Sequence, residues 1–260
     1  MKLESNGRPP GRGIYLLPNL LTTLCLFGGF YAIIAAIDGN FDRAVLAIFA
    51  AMVFDGLDGR VARLTGTETA FGKEFDSLAD MVAFGVAPAV VCYQWGVARI
   101  AEYGLAWGRL GWIAAFFFAA AAALRLARFN TRVALQDKRF FEGLPSPSAA
   151  AVVAAFVGLA HKYDVVGLPG LVLAFAITAL AGLLMVSHFP YRSFKDRAAG
   201  ERVRYSRLLL VPLVIALIAI DPPVVLFLLF GGFALSGPLA WSWARIRRRP
   251  RPASATVPED

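Results

Sequence analysis

Apolar residues run in long stretches separated by short polar or basic joints. Eight such stretches can be traced, at roughly 16–37, 43–64, 73–98, 108–130, 146–161, 167–189, 206–220 and 223–244. Runs of about 20 apolar residues without two-residue alternation predict membrane-spanning helices and argue against an outer-membrane barrel. The fifth and seventh stretches are short for that role. Asp221-Pro222-Pro223 separates the last two, because paired prolines cannot continue a helix. The fold expected is therefore all-α, a polytopic transmembrane helix bundle of about eight spans.

Composition sharpens this. Of 260 residues, 58% are hydrophobic and 17% charged, against roughly 45–50% and about 25% in soluble domains. A soluble enzyme, a disordered chain and a secreted disulfide scaffold are excluded. Cys25 and Cys92 lie inside apolar stretches without metal-ligand spacing and read as packing residues. His161 and His188 fall near segment ends and read as membrane-interface residues. The first 13 residues are polar and rich in Gly and Pro, and the first apolar run is long enough to span, so no cleavable leader is expected. The chain divides into an N-terminal segment (1–15), one integral membrane domain (16–244) and a basic, Pro- and Ser-rich tail (245–260), read as a disordered, lipid-facing tether.

The net charge of +8 orients the chain rather than recruiting nucleic acid, for which no basic–aromatic pattern is present. With eight spans, all but four of the 26 Lys and Arg fall on the side that holds both termini. The exceptions are Arg43, Arg99, Arg109 and Lys162. That asymmetry places both termini in the cytoplasm.

Against this apolar background, Asp55, Asp58, Asp76 and Asp80 fall inside or at the ends of the second and third stretches. A charge at the bilayer centre costs roughly 2.5–3.5 kcal/mol, and four carboxylates together also repel. One such Asp could be a loop salt bridge to Arg60, Arg63 or Lys73. Four at these spacings call for more. Asp55 and Asp58 share one helix face at i,i+3, and Asp76 and Asp80 share another at i,i+4. A short loop between the helices makes them antiparallel neighbours whose pairs can face each other. Hard oxygen donors in this number suit Mg²⁺ or Mn²⁺, with two ions expected. Gly56, Gly59 and Gly72 leave room for a ligand or another helix, and the Arg63 fork could grip a diphosphate.

These residues resemble the signature of the CDP-alcohol phosphatidyltransferase family, D-x2-D-G-x2-A-R-x8-G-x3-D-x3-D. Here it is Asp55, Asp58-Gly59, Ala62-Arg63, Gly72, Asp76 and Asp80, with every fixed position matched. The resemblance implies a helical membrane enzyme whose site opens to the cytoplasmic leaflet of a bacterial-type inner membrane. It implies that the four Asp hold two divalent ions and that Asp80 is the general base for the incoming hydroxyl. It implies that Gly59, Arg63, Thr69 and Gly72 contact the CDP moiety. The family's Asn-x-x-Thr opening of the first helix is matched by Asn19 and Thr22, which would close over the nucleotide. By itself that stretch also reads as a capped helix start.

Two further blocks, Arg125-Leu126-Ala127-Arg128-Phe129-Asn130 and Phe141 to Ala150, resemble those of the family's phosphatidylserine synthase branch. The resemblance covers roughly residues 15–155. It implies transfer of the phosphatidyl group from CDP-diacylglycerol to L-serine, releasing CMP. Arg125 and Arg128, at i,i+3, could grip the serine carboxylate or the lipid phosphate, or serve as cytoplasmic anchors. Asn130 could orient the amine or hydroxyl. Gly143 to Pro147 could simply be the rigid turn before the fifth stretch. Other acceptors within the family (glycerol 3-phosphate, inositol phosphate, choline, a second phospholipid) and a cation transporter built on the Asp set are the alternative readings. The Gly28-Gly29 and Gly231-Gly232 faces, with the family resemblance, suggest a homodimer, although such faces also pack helices within one chain.

Overall fold

The computed structural model describes residues 16–97, 104–132, 140–165, 167–192 and 210–247. The N-terminal segment, the tail beyond Arg247 and most of the basic joints lie outside the described residues.

The described part of each apolar stretch is largely helical. The helices are α1 (Leu16–Ile37), α2 (Phe41–Thr65), α3 (Ala70–Asp80) continuing through a π-helical turn (Met81–Val86) into α4 (Ala87–Trp95), α5 (Leu105–Arg132), α6 (Ser146–Lys162), α7 (Leu168–Val186), α8 (Leu210–Ile220) and α9 (Pro222–Arg247). Two short strands, β1 (Phe140–Glu142) and β2 (Pro190–Arg192), pair antiparallel with Phe141 opposite Tyr191. This ribbon is an addition to the all-helical fold expected.

Five of the described helices are long and apolar enough to cross a membrane: Leu16–Ile37, Ala70–Trp95, Arg109–Thr131, Leu168–Val186 and Pro222–Trp243. The other three differ for physical reasons. α2 is 25 residues long but carries Asp42, Arg43, Asp55, Asp58, Arg60 and Arg63. α6 has only 17 residues and is buried along most of its length, so it is shielded by protein rather than lipid. α8 is described over 11 residues.

The bundle is built around α6. Ala149 to Ala155 are almost all fully buried, and small side chains let α2, α4, α7 and α9 close around it. Phe227 of α9 lies 6.0 Å from Phe156, and Phe230 lies 6.1 Å from Phe49 of α2. The Tyr191 ring of β2 is buried against Gly237 of α9, its hydroxyl donating to the Ala234 carbonyl at 2.8 Å. At the other end of α6, Asp221 accepts from Lys162 Nζ at 2.8 Å and from the Tyr163 hydroxyl. Those two partners hold its carboxyl below the ordinary carboxylate range. Cys25 and Cys92 are buried free thiols, the latter 3.2 Å from Thr178 Oγ1.

The Gly28-Gly29 face is used inside the chain. A Cβ on Gly28 would lie 3.0 Å from Ala51 Cβ, and one on Gly29 would lie 2.6 Å from Ala83 Cα in the π-helical turn. Gly231 and Gly232 have no described neighbour at that range. Because the Gly29 contact is with backbone, no rotamer change relieves it. Gly29→Ala is expected to cost about 1–3 kcal/mol through overpacking, read as a lower thermal midpoint in detergent. An unchanged midpoint would show that the π-helical turn can move away.

Candidate active site

The site forms where α2 ends and α3 begins. Gly66 closes α2 in the left-handed conformation (φ 64°), its N–H bonding back to the carbonyls of Ala62 and Arg63. Three residues later Thr69 opens α3, its hydroxyl accepting from Gly72 N at 2.9 Å. The backbones of α2 and α3 approach each other little, and α1 packs against both. The two helices face each other as expected where Asp55 meets Asp76 and Asp80, while a cavity of 540 Å³ opens between α1, α2 and α3.

That cavity collects all six predicted nucleotide-contacting residues, Asn19 and Thr22 from α1, Gly59 and Arg63 from α2, and Thr69 and Gly72 from the start of α3, together with two of the predicted metal ligands, Asp58 and Asp76. Thr22 Oγ1 donates to Asp58 Oδ2 at 2.7 Å, tying α1 to α2. A Cβ on Gly72 would lie 3.1 Å from Thr69 Oγ1 and 3.5 Å from Asn19 Oδ1, so only glycine keeps this wall open. Gly56 has open space around it and Gly59 faces only the Arg63 guanidinium; neither is a helix-packing contact. Among the described residues, neither Arg63 nor Lys73 forms a salt bridge. Two cations thus line a polar cavity without a carboxylate partner within salt-bridge range.

Asp55, Asp76 and Asp80 bring one oxygen each to within 4.8 Å of one another, and Asp76 also lines the cavity. Asp58 stands outside this trio, bonded to Thr22. Asp80 Oδ1 is buried with no hydrogen-bond partner. A buried orphan carboxylate oxygen is costly unless something binds it. Hard oxygens at this spacing fit an Mg²⁺- or Mn²⁺-type cation.

The predicted acceptor residues separate into different surroundings. Arg125 points its Nη1 at Ser146 Oγ at 2.9 Å, while its Nε is buried and unpartnered. Its charge lies within range of Asp80. Arg128 instead donates to main-chain carbonyls, Glu142 at 2.7 Å, Val186 at 3.3 Å and Ser187 at 3.5 Å. It fastens the end of α5 to β1 and to the end of α7. Asn130 Nδ2 donates to Ser77 Oγ at 2.9 Å. Ser77, Ser146 and Cys25, which lies within electrostatic range of all four Asp, were not singled out by the sequence reading as part of the site. The one signal for Ser77 was its place on the Lys73–Asp76–Asp80 face of α3.

The CDP-alcohol phosphatidyltransferase family model matches residues 15–187. A protein of Helicobacter pylori named CDP-diacylglycerol–serine O-phosphatidyltransferase is 36% identical over 238 residues, covering 92% of this chain and 96% of its own. Proteins of the same name from Mycobacterium tuberculosis and Methanocaldococcus jannaschii are 34% identical over 221 residues (80% of this chain, 72% of theirs) and 32% identical over 186 residues (72% and 78%).

Proposed function

The chain belongs to the CDP-alcohol phosphatidyltransferase family, and from that premise we propose that it transfers the phosphatidyl group of CDP-diacylglycerol to the hydroxyl of L-serine, giving phosphatidylserine and CMP. The observation that carries this is the convergence of Asp55, Asp76 and Asp80 beside a polar cavity lined by Arg63 and Lys73. Relatives of that name align over most of the chain and support serine as the acceptor.

Arg63 and Lys73 receive the donor's diphosphate, while Asn19 and Thr22 close the opposite wall over the nucleotide. Asp55, Asp58, Asp76 and Asp80 would hold two divalent cations, Mg²⁺ or Mn²⁺, which when bound supply Lewis-acid stabilisation of the charge on the transferring phosphoryl and on CMP. Asp80 Oδ1 takes the proton of the serine hydroxyl. The hydroxyl oxygen attacks the lipid-linked phosphorus in line, its bond to the CMP oxygen breaks, and CMP leaves. One displacement suffices, because the serine hydroxyl can attack the phosphorus directly once Asp80 accepts its proton. Arg125, with a buried donor to spare, takes the serine carboxylate and Asn130 the ammonium. Arg128 holds the frame around them.

The site end carries Arg60, Arg63, Lys73, Arg125 and Arg128, so by the positive-inside rule it faces the cytoplasm of a bacterial-type inner membrane, with both termini on that side. Residues 16–244 act as a single membrane domain.

The test is CMP release by purified protein in mixed micelles containing CDP-diacylglycerol and Mg²⁺ or Mn²⁺, with L-serine compared against glycerol 3-phosphate, inositol phosphate and choline. Release with L-serine and not with the others is the expected result. Release with a different alcohol would overturn the acceptor, and cation flux without CMP release would overturn the enzyme reading altogether.

A further inference from the structure

Asp80 and Ser77 lie on one stripe of α3 with Lys73 and Asp76, at i, i+3, i+4 and i+7. Two residues of α5 meet this stripe. The Arg125 charge lies within electrostatic range of Asp80, and Asn130 reaches Ser77. The acceptor side of the site is thus a ladder of two rungs between α3 and α5.

The polarity of the upper rung can be worked out from its hydrogens. Ser77 has one hydroxyl proton, and it is given to the Lys73 carbonyl one turn back at 3.0 Å. Toward Asn130 the Ser77 oxygen can then only accept. The amide edge that faces it must therefore be the NH₂ edge, as the 2.9 Å contact from Nδ2 shows. The carbonyl edge is left over. Among the described residues no donor engages Asn130 Oδ1. The main-chain carbonyl of Lys73 thus dictates, through Ser77, which face Asn130 presents to the site.

We propose that Ser77 is a positioning residue for acceptor recognition: it holds Asn130 with Oδ1 presented as a hydrogen-bond acceptor, which selects an alcohol carrying an ammonium group. This rests on the reading of the site as one that uses an amino-acid alcohol. Without the hydroxyl, the amide is free to turn its NH₂ edge toward the substrate, where it would meet the ammonium donor to donor. Losing the fixed orientation forfeits part of a hydrogen bond to a charged group and is expected to weaken serine binding by up to about tenfold.

The experiment compares the full-length parent with Ser77→Ala and Ser77→Thr in CDP-diacylglycerol micelles with Mn²⁺. It measures KM for L-serine, KM for CDP-diacylglycerol, and Ki for 3-hydroxypropionate, which keeps serine's hydroxyl and carboxylate but lacks the ammonium. For Ser77→Ala the expected result is a rise of up to about tenfold in KM for L-serine, with Ki for 3-hydroxypropionate within twofold of the parent. Ser77→Thr, which keeps the hydroxyl and its bond one turn back, restores the serine KM. A parallel rise in KM and Ki, an unchanged serine KM, or failure of a folded Ser77→Thr to restore it would each overturn the proposal. If the parent itself releases no CMP with L-serine, the function reading has failed and this inference falls with it. If the parent works and Ser77→Ala matches it, only the role of Ser77 is lost.

Discussion

Asp80→Asn is expected to lower kcat for CMP release by at least about a thousandfold, within the range by which general acid–base groups accelerate reactions. The substitution keeps the shape of the side chain and removes its ability to accept a proton from the serine hydroxyl. Asp80 Oδ1 is buried and makes no hydrogen bond, and the side chain's hydrogen bond with Asp55 can be kept by the amide NH₂. Asp80 also crowds against Asp55 and Asp76, so neutralising it relieves repulsion. The thermal midpoint in cation-free detergent should therefore hold or rise while turnover collapses. Asp55→Asn and Asp76→Asn provide the comparison. If those side chains act only by holding cations, raising Mn²⁺ recovers part of their activity, whereas Asp80→Asn stays inactive at any concentration. Residual kcat within tenfold of the parent would remove Asp80 from the role of base.

How much of this was legible beforehand follows from where each signal resides. The helices were readable because an apolar run in a membrane chain has few other ways to satisfy its backbone. α1 ends where the run does, at Ile37. The carboxylates stood out because charge there is expensive. The cavity between α1, α2 and α3 was not readable, since it depends on how α1 packs against the other two, a packing choice that no local pattern encodes. Gly28-Gly29 could have served either an internal or an external contact; Ala51 and Ala83, from two other helices, decide it. Arg125 and Arg128 are the same residue type one turn apart, yet their partners arrive from Ser146 in α6 and from the far end of α7. Ser77 offered only its place on the Lys73–Asp76–Asp80 face and Ser146 only its place in the block from Phe141 to Ala150, because a hydroxyl is neutral toward hydropathy and shows its role only through its partners. The β1–β2 ribbon, three residues a side, is too short to leave a periodic trace.

Removing divalent cations with a chelator is expected to abolish CMP release and to lower the thermal midpoint together. Oxygens of Asp55, Asp76 and Asp80 lie within 4.8 Å of one another. At an effective dielectric constant of about 20, two ionised groups at that separation repel by about 3.5 kcal/mol. Three such pairs would burden the native state heavily, and only the native state brings them together. A cation seated among them converts that repulsion into attraction, so its binding is coupled to folding. A ligand present at about 100 times its dissociation constant stabilises by about 2.7 kcal/mol. Titrating Mg²⁺ or Mn²⁺ back should therefore raise the midpoint and restore turnover, the midpoint responding even when no substrate is present. In Asp76→Asn the stabilisation should require a higher cation concentration, because one charged ligand is gone, and the cation-free midpoint should lie above the parent's. Together these two shifts separate a specific site from general screening, since salt at equal ionic strength would relieve the parent and the variant alike and would not restore CMP release. Full activity in excess chelator, or a midpoint indifferent to divalent cations, would show that the trio is not a cation site.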